Sequence, residues 1–475
     1  MNMKITDRKK IVVELINNMA SSRNSWIRKN RYYYTELTKF LKYNIPEGSE
    51  VLEIGCGTGE ILASLKPKRG VGIDISAKMI EIAKKQYQNL EFEVMDAEKL
   101  KLNGEFDYVI ISDTIGYFED VQKVFHALKN VTYRSTRVVI TYQNFLWMPV
   151  LGLAELLRFK MPSKKLNWLN LDDIVNLLEI EGYEMVKQGN RFIFPFYIPI
   201  ISLLLNRYIG NLPLINHLGL IGYVVARPTG KVKKKDYSVS VIVPARNEKG
   251  NIENIVKRAP RIGNSTEIIF IEGHSGDGTL EEIKRVCQTY RSDKKLLYAI
   301  QTGKGKGDAV RKGFDLASGE ILMILDADLT VPPEDLPKFY SALVSDKAEL
   351  VNGSRLVYPM EREAMQTLNI LGNRFFSIMF TWLLGQKIKD TLCGTKVMFK
   401  DDYIKIAHNR CFFGNFDPFG DFDLIFGAAK LNLKIKDIPI RYRARQYGDT
   451  NISRFKHGWL LLKMVLFAMN KIKFI

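Results

Sequence analysis

The chain has 475 residues, is 46% hydrophobic and 26% charged, and carries a formal net charge of +18. That composition supports real cores and about three ordinary domains or two large ones, and it rules out a disordered chain. The four cysteines form no C-x-x-C pair, so neither a zinc site nor a disulfide framework is indicated, and reduced thiols in the cytoplasm are expected.

The stretch Met1 to Lys10 is charged and leads into no clean apolar run, which speaks against a signal peptide. No segment reaches the ~20 apolar residues that span a bilayer. Phe192–Leu205 is broken by Pro195 and Pro199, and Trp459–Met469 by Lys463. The positive surplus attracts polyanions. With no nucleic-acid motif present, it points to membrane surface and phosphate ligands, or to a solvated basic surface.

Taken in chain order, the first half predicts strands near Glu50–Ile54, Gly70–Asp74, Leu90–Met95, Tyr108–Ser112, Arg137–Tyr142, Met185–Ile193 and Gly222–Ala226. A helix over Asn170–Glu181 opens on an Asn-x-x-Asp start. The composition shifts at Arg227-Pro228-Thr229-Gly230, where a lysine run follows. This reads as an exposed linker over residues 231–236, between a domain at 1–230 and a domain at 237–475. The second half predicts strands near Ser238–Val243, Glu267–Ile271, Leu296–Gln301, Ile321–Leu325, Glu349–Gly353 and Ile435–Tyr442. Strands alternating with helical patterns on both sides of the linker predict two α/β domains with parallel sheets.

The first strand runs into Glu53-Ile54-Gly55-Cys56-Gly57-Thr58-Gly59. Gly55 and Gly57 would let the backbone approach a bound cofactor with no Cβ in the way, and the next helix offers its N-terminus. Asp74, at the end of the second strand, can accept hydrogen bonds from ribose hydroxyls, and Asp96, after the third, can meet an adenine amine. The spacing G-x-G-x-G, with Glu53 before the turn, departs from the dinucleotide pattern G-x-G-x-x-G. It suits a cofactor with a positive amino-acid moiety and no pyrophosphate. Val51–Glu60, Asp74 and Asp96 resemble the class I S-adenosylmethionine (SAM)-dependent methyltransferases over most of residues 48–145. The resemblance implies a Rossmann-like domain whose cofactor-binding residues are Glu53, Gly55, Gly57, Gly59, Asp74 and Asp96. The methyl acceptor is not legible. Asp113, after the fourth strand, is a base if the acceptor is a hydroxyl, or else a helix cap. Tyr33 and Tyr34 are expected in aromatic core packing, with closure over the cofactor as the alternative. The apolar stretch Phe192–Ala226 is expected to cover the sheet or pack on the second domain, with a membrane interface as the alternative.

The second domain opens on a strand ending Pro244-Ala245-Arg246-Asn247-Glu248. The next ends Glu272-Gly273-His274-Ser275-Gly276-Asp277. A cationic glycine loop, Gly303-Lys304-Gly305-Lys306-Gly307, lacks the Ser or Thr of a phosphate-binding Walker loop but can reach a phosphate. Asp326-Ala327-Asp328 ends an apolar strand. Two carboxylates one residue apart can hold Mg²⁺ or Mn²⁺, which would neutralise a departing diphosphate.

These elements, with Pro332-Pro333-Glu334, Asn352-Gly353-Ser354-Arg355, Asp390 to Lys396 and Arg445 to Thr450, resemble a family 2 glycosyltransferase of the GT-A fold. Within that family they are most similar to the polyprenol-phosphate (dolichol-phosphate) sugar synthases. The resemblance spans residues 238–455. It implies a nucleotide-sugar donor held by Pro244, Ala245, Asn247, Glu248, Glu272, Asp277, Lys306, Asp326 and Arg445, and metal ligands Asp326 and Asp328. Glu272-Gly273 departs from the paired aspartates of many relatives, which leaves the nucleotide open. Asp421 and Asp423 match the place of the family's base. They would be needed for a sugar or protein hydroxyl and dispensable for a lipid phosphate, which is already ionised. The C-terminal helix, with Trp459 and the lysines beyond it, either lies on an anionic membrane or docks on its own domain.

The expectation is a bifunctional cytoplasmic enzyme, peripheral at the inner face of the membrane, that joins an N-terminal methyltransferase to an inverting glycosyltransferase with a polyprenyl-phosphate acceptor. The alternative is a glycosyltransferase acting on a soluble glycan or protein, with the first domain as a SAM-binding regulatory module.

Overall fold

The computed structural model describes residues 5–163, 167–230, 235–358, 367–410, 420–445, 447 and 454–474, with backbone alone at 5–8, 367–371, 421 and 454–457. The chain divides into two compact units, residues 1–230 with the last three residues, and residues 231–472.

In the first unit seven strands form one sheet: β1 (Glu50–Ile54), β2 (Arg69–Asp74), β3 (Glu91–Val94), β4 (Tyr108–Ser112), β5 (Arg137–Gln143), β6 (Tyr183–Arg191) and β7 (Ile221–Pro228). Their spatial order is β3-β2-β1-β4-β5-β7-β6. β1 to β5 are mutually parallel, and β7 runs antiparallel to both of its neighbours. Strand residues alternate between two cores: Leu52, Ile54, Val109 and Ile111 belong to one, and Val51, Tyr108 and Ile110 to the other. A period of two with both faces apolar means helices cover both sides. The predicted helix is present as Leu171–Ile180. Asn170 caps it, and Asp173 returns the bond to complete a capping box.

The second unit also has seven strands: β8 (Ser238–Ala245), β9 (Ser265–Glu272), β10 (Lys295–Ile300), β11 (Ile321–Ile324), β12 (Leu350–Ser354), β13 (Lys396–Phe399) and β14 (Ile435–Pro439). They lie in the order β10-β9-β8-β11-β13-β12-β14. β13 is antiparallel to β11 and β12. Sequence reading missed it because its four residues begin with a lysine and carry no clear alternation. Apolar residues of β8 again alternate between two cores, Ile242 on one side and Val241 and Val243 on the other. In the C-terminal helix Arg454–Ala468, Leu461, Met464, Val465 and Ala468 are buried in this unit's core, so the helix docks on its own domain.

In both sheets the winding reverses beside the first strand of the unit, between β1 and β4 and between β8 and β11. Crossovers leave in opposite directions there and open a crevice at the carboxyl ends of the strands. Both candidate sites lie at these edges.

Candidate functional sites

In the first unit a cavity of about 1240 Å³ opens over the carboxyl ends of β1, β2 and β4 and takes in Glu53, Gly55, Gly57, Asp74, Asp96 and Asp113. The three glycines have different roles. All have positive φ, at 73°, 54° and 81° for Gly55, Gly57 and Gly59. A Cβ on Gly55 would strike Thr114 Cγ2 at 2.2 Å, and one on Gly59 would meet Phe92 Cζ at 2.7 Å. Beside Gly57 the nearest atom is Arg23 Nε at 3.9 Å. Gly57 alone offers open backbone to a ligand. Gly55 and Gly59 are set by local packing, and Gly59 is not among the cavity residues.

The acids at this edge are held by main-chain amides. Asp74 accepts from the Gly57 and Ser76 amides, both at 2.9 Å. Burial raises its carboxyl pKa, and those amides pull it back. Glu53 accepts from the Leu62 amide at 3.1 Å. Burial pushes Glu53 up to about 8 against that single bond, and the neighbouring Asp74 adds to the rise. A buried acid so raised, with no ammonium on it, suits a ligand that brings a positive charge.

Asp96 pairs with Lys9 at 2.6 Å and caps the short turn Ala97–Lys99 through the Glu98 amide at 3.1 Å. The expected adenine partner is therefore already engaged by a lysine. Asp113 caps nothing: Thr114 stands at the N-cap of the following turn. Instead Tyr33 donates to Asp113 Oδ2 at 2.5 Å, and Oδ1 is buried with no hydrogen-bond partner among the described residues. Asp113 also holds a φ of 52°, unusual outside glycine. An orphaned carboxylate oxygen on a strained residue that lines a cavity is the strongest local mark of function in this unit. Tyr33 thus belongs to the site as well as to an aromatic cluster with Phe192, beyond the core role expected for it.

Sequence reading missed the helix Ile5–Lys29, which lies along this edge. Lys9 reaches Asp96 and, at 3.0 Å, Glu98. Asn17 accepts from the Ser76 hydroxyl at 2.7 Å, and Asn24 from the Thr58 hydroxyl at 3.0 Å. Arg23 stacks 5.5 Å from the Tyr34 ring. Burial opposes the Arg23 cation, but Tyr34, Tyr117, Asp113 and Asp74 hold its pKa above the ordinary value. Lys9, Asn17 and Asn24 recur about every two turns, a polar stripe on one helix face, and that spacing was the legible signal.

In the second unit the acids pair with cations. Asp326 Oδ1 meets Lys306 Nζ at 2.6 Å. Burial pushes the Asp326 carboxyl up, but Lys306, with Lys396 and Arg355 behind it, holds it below the usual carboxylate range. Arg445 forks between Asp328 Oδ2 and Glu248 Oε1, both at 2.9 Å. Asp328 Oδ1 also accepts from the Thr330 amide and hydroxyl, at 3.1 and 2.8 Å. Burial pushes Glu248 up to about 7, against Arg445 and the Asn251 amide, and Asp328 adds to the rise.

Around this centre, Pro244 and Ala245 end β8, and Asn247 holds a φ of 56° while its side chain accepts from the Gly276 amide at 3.0 Å. Glu272 accepts from the Ser275 amide at 2.6 Å, and Asp277 from the Thr279 amide at 3.0 Å. Gly394 is required: a Cβ there would fall 2.1 Å from both Asp326 Oδ2 and Lys306 Nζ. Asp390, four residues earlier, is fully buried in a fork with Arg355 at 2.7 and 2.8 Å. Burial works against its charge, yet Arg355 brings its pKa down to about 2.

Asp423 pairs with Arg410 at 2.7 Å. Its helix, Asp421–Lys430, starts after Gly420, where an added Cβ would fall 2.5 Å from the Cα of Gly307, one residue from Lys306. The Asp421 side chain and Gly448 to Thr450 lie outside the described residues, as does Cys411. Among the described residues no cluster of three or more metal-binding acids, histidines or cysteines occurs. Asp326 and Asp328 are two carboxylates, not a closed cage.

Residues 240–407 match the family model for glycosyl transferase family 2, and residues 26–188 match that for a methyltransferase domain. Glycosyltransferase AglJ of Haloferax volcanii is 26% identical over 227 residues, covering 47% of this chain and 69% of that protein. A dolichol-phosphate mannosyltransferase of Saccharomyces cerevisiae is 39% identical over 111 residues, 22% of this chain and 40% of its own length. The chain thus spans less than half of that relative. Among solved structures, a SAM-dependent methyltransferase from Thermotoga maritima covers 46% of this chain and 99% of its own, at 18% identity and a TM-score of 0.36. The chain is therefore an enzyme that joins a methyltransferase domain of Rossmann-like fold to a family 2 glycosyltransferase domain of GT-A fold.

Proposed function

We propose that the protein catalyses two transfers, a SAM-dependent methylation in the first unit and an inverting glycosyl transfer from a nucleotide-sugar to a lipid phosphate in the second. The observation that carries the second reading is the fork of Arg445 between Asp328 and Glu248 beside the Lys306–Asp326 pair. It sets two cations and two strand-end carboxylates at one edge, the charge pattern a metal–diphosphate group requires. Likeness to dolichol-phosphate mannosyltransferases supports a polyprenyl-phosphate acceptor.

A divalent ion fits this donor set. Mg²⁺ is commonly held by one or two carboxylates with substrate phosphates completing its shell, so Asp326 and Asp328 suffice as protein ligands. Bound there, it would neutralise charge on the departing diphosphate. Lys306 and Arg445, which now balance the two aspartates, would turn to phosphate oxygens. The acceptor oxygen forms its bond to the anomeric carbon as the bond to diphosphate breaks. A phosphate acceptor needs no base, so Asp423 is free to serve structure through Arg410.

In the first unit the chain's residues fit SAM. Gly57 gives open backbone, Asp74 keeps lone pairs for hydroxyls, and Glu53 faces a positive amino group. When bound, SAM supplies an electrophilic methyl group. Asp113 accepts the proton of an acceptor hydroxyl as that oxygen takes the methyl carbon and the sulfur leaves as a neutral thioether. Tyr33 orients Asp113 through its hydrogen bond.

The test uses labelled UDP- and GDP-sugars with Mg²⁺ or Mn²⁺ and a membrane lipid extract. Acid-sensitive label in the organic phase is expected. Label only in water, or none without a glycan or protein acceptor, sinks the lipid-phosphate reading and brings Asp421 and Asp423 forward as bases.

A further inference from the structure

The first unit leaves a large apolar face open. The helix Met148–Leu156 is strongly apolar and has no buried residue. Leu156 is 79% exposed, Ile200 73% and Leu214 89%. Apart from Ile11, Val94 and Ile180, the large apolar side chains that this unit exposes among its described residues all lie in segments 145–168 and 196–218.

The two segments are joined in space. Asn144 donates from its side chain to the His217 and Gly219 carbonyls, both at 2.9 Å, and Trp147 donates to the Leu218 carbonyl at 2.8 Å. They therefore form one surface. An exposed face so rich in large apolar side chains marks an interaction site.

Charge identifies the partner. Residues 192–220 contain no aspartate or glutamate. At the border of the face Lys29 and Arg158 are exposed, with Lys29 donating to the Arg158 carbonyl at 2.5 Å and lying 5.9 Å from the Phe159 ring, and Arg28 and Arg31, next to Lys29 in the chain, are exposed too. The two segments hold a single carboxylate, Glu155, and it is neutralised by Lys160. An apolar face with no unpaired carboxylate in its two segments, edged by arginine and lysine, complements an anionic lipid surface, with the apolar chains at the acyl boundary and the cations among the headgroups.

The same segments also line the cavity: Trp147, Val150 and Phe159 from one, Phe196 and Tyr197 from the other. Glu53, Asp74 and Asp113 line it too. At about 1240 Å³ it exceeds the common range of about 300–1,000 Å³ for a small-molecule site, so it has room for a second, apolar guest beside a nucleoside. From these features we infer that the methyltransferase unit docks on an anionic bilayer by this face and takes its methyl acceptor, a lipid-anchored headgroup, directly from it. This deepens the SAM-dependent reading of the unit and rests on it.

The test is flotation of the full chain with vesicles of phosphatidylcholine alone or mixed with phosphatidylglycerol, beside calorimetry with SAM. Leu156 and Leu214 do not line the cavity, so the double variant L156D/L214D keeps SAM binding. The wild type is expected to float with the mixed vesicles and the variant about tenfold less. With labelled SAM and a lipid extract, label is expected in the organic phase. A variant that floats like the wild type overturns the docking face. So does a wild type that ignores both vesicles and is a dimer the variant splits, because the face then belongs to a second copy. Label confined to water overturns the lipid acceptor. Flotation as expected with no SAM binding sinks the methyltransferase reading and the lipid acceptor with it, and leaves the docking face standing.

Discussion

The two units place their acids at the same point of similar sheets and hold them by opposite means. At the end of β2, Asp74 rests on main-chain amides, as does Glu53 in β1, and burial raises both pKa values. Beyond β11, Asp326 and Asp328 rest on the ammonium of Lys306 and the guanidinium of Arg445, and the Asp326 pKa is lowered. Amides orient Asp74 and Glu53, Arg23 supplies part of the countercharge, and burial keeps the Glu53 proton up to about 8, so the first edge suits a cationic ligand group that favours the charged form of Glu53. Ion pairs cancel the charge, and the second edge presents cations that a phosphate can take over. The topology fixes where a site forms, and the partners of its acids decide which sign of ligand it receives.

The sharpest way to test the ion-pair half is to strand a buried cation. Asp390→Asn would leave Arg355 buried without its countercharge, and the expected loss is about 3–5 kcal/mol of stability, read as a fall in Cm in urea. An unchanged Cm would mean that Arg355 reaches solvent and the pair is not structural. Next in size, Asp328→Asn is expected to lower sugar transfer by about 10²–10³-fold, with SAM binding by calorimetry unchanged. Asp74→Ala reverses the pattern. It should weaken SAM binding by about 10–100-fold, since each buried hydrogen bond to a charged group is worth about 1.5–3 kcal/mol, and leave sugar transfer intact. If either change removed both activities from a folded protein, the two edges would not be independent sites.

Much of this contrast was legible in the sequence, though unevenly. Strand-end positions were readable because apolar runs such as Ile321 to Leu325 stop at polar residues, and Glu53, Asp74, Asp113 and Asp328 all stand at or near such stops. Their partners were not readable. Lys9 comes to Asp96 across 87 residues and Arg445 to Glu248 across 197, and no local spacing records a contact made by tertiary packing. Strain was equally hidden: Asp113 and Asn247 both take a left-handed backbone that only the folded chain reveals. The C-terminal helix allowed a membrane or a docked reading on composition, and Leu461, Met464, Val465 and Ala468 dock it on the core while Trp459 and Leu466 stay exposed, whereas the short helix Met148–Leu156 drew no notice and has no buried residue. Hydropathy gives the amount of apolar surface, and the fold decides which of it meets solvent.

The smallest expected effect separates the two edges by pH. The carboxyl of Glu53 sits at about 8 in the folded chain against an ordinary 4.5. Between those values the folded state holds a proton that the unfolded state has lost, so this group's contribution to stability falls as pH rises from about 4.5 to about 8. Binding a cationic cofactor group reverses the preference, because it favours the charged carboxylate and expels the proton. SAM affinity should therefore rise with pH, by at most about tenfold per unit, and level off above about 8. Glu53→Gln should flatten both curves, removing the decline in thermal midpoint and the climb in affinity. Asp390 runs the other way: with a folded value of about 2, its contribution is present at neutral pH and is lost as the medium becomes strongly acid. A SAM affinity that stays flat with pH in the wild type would mean that Glu53 does not face the cofactor's positive charge, and the contrast between the two edges would then rest on Asp74 alone.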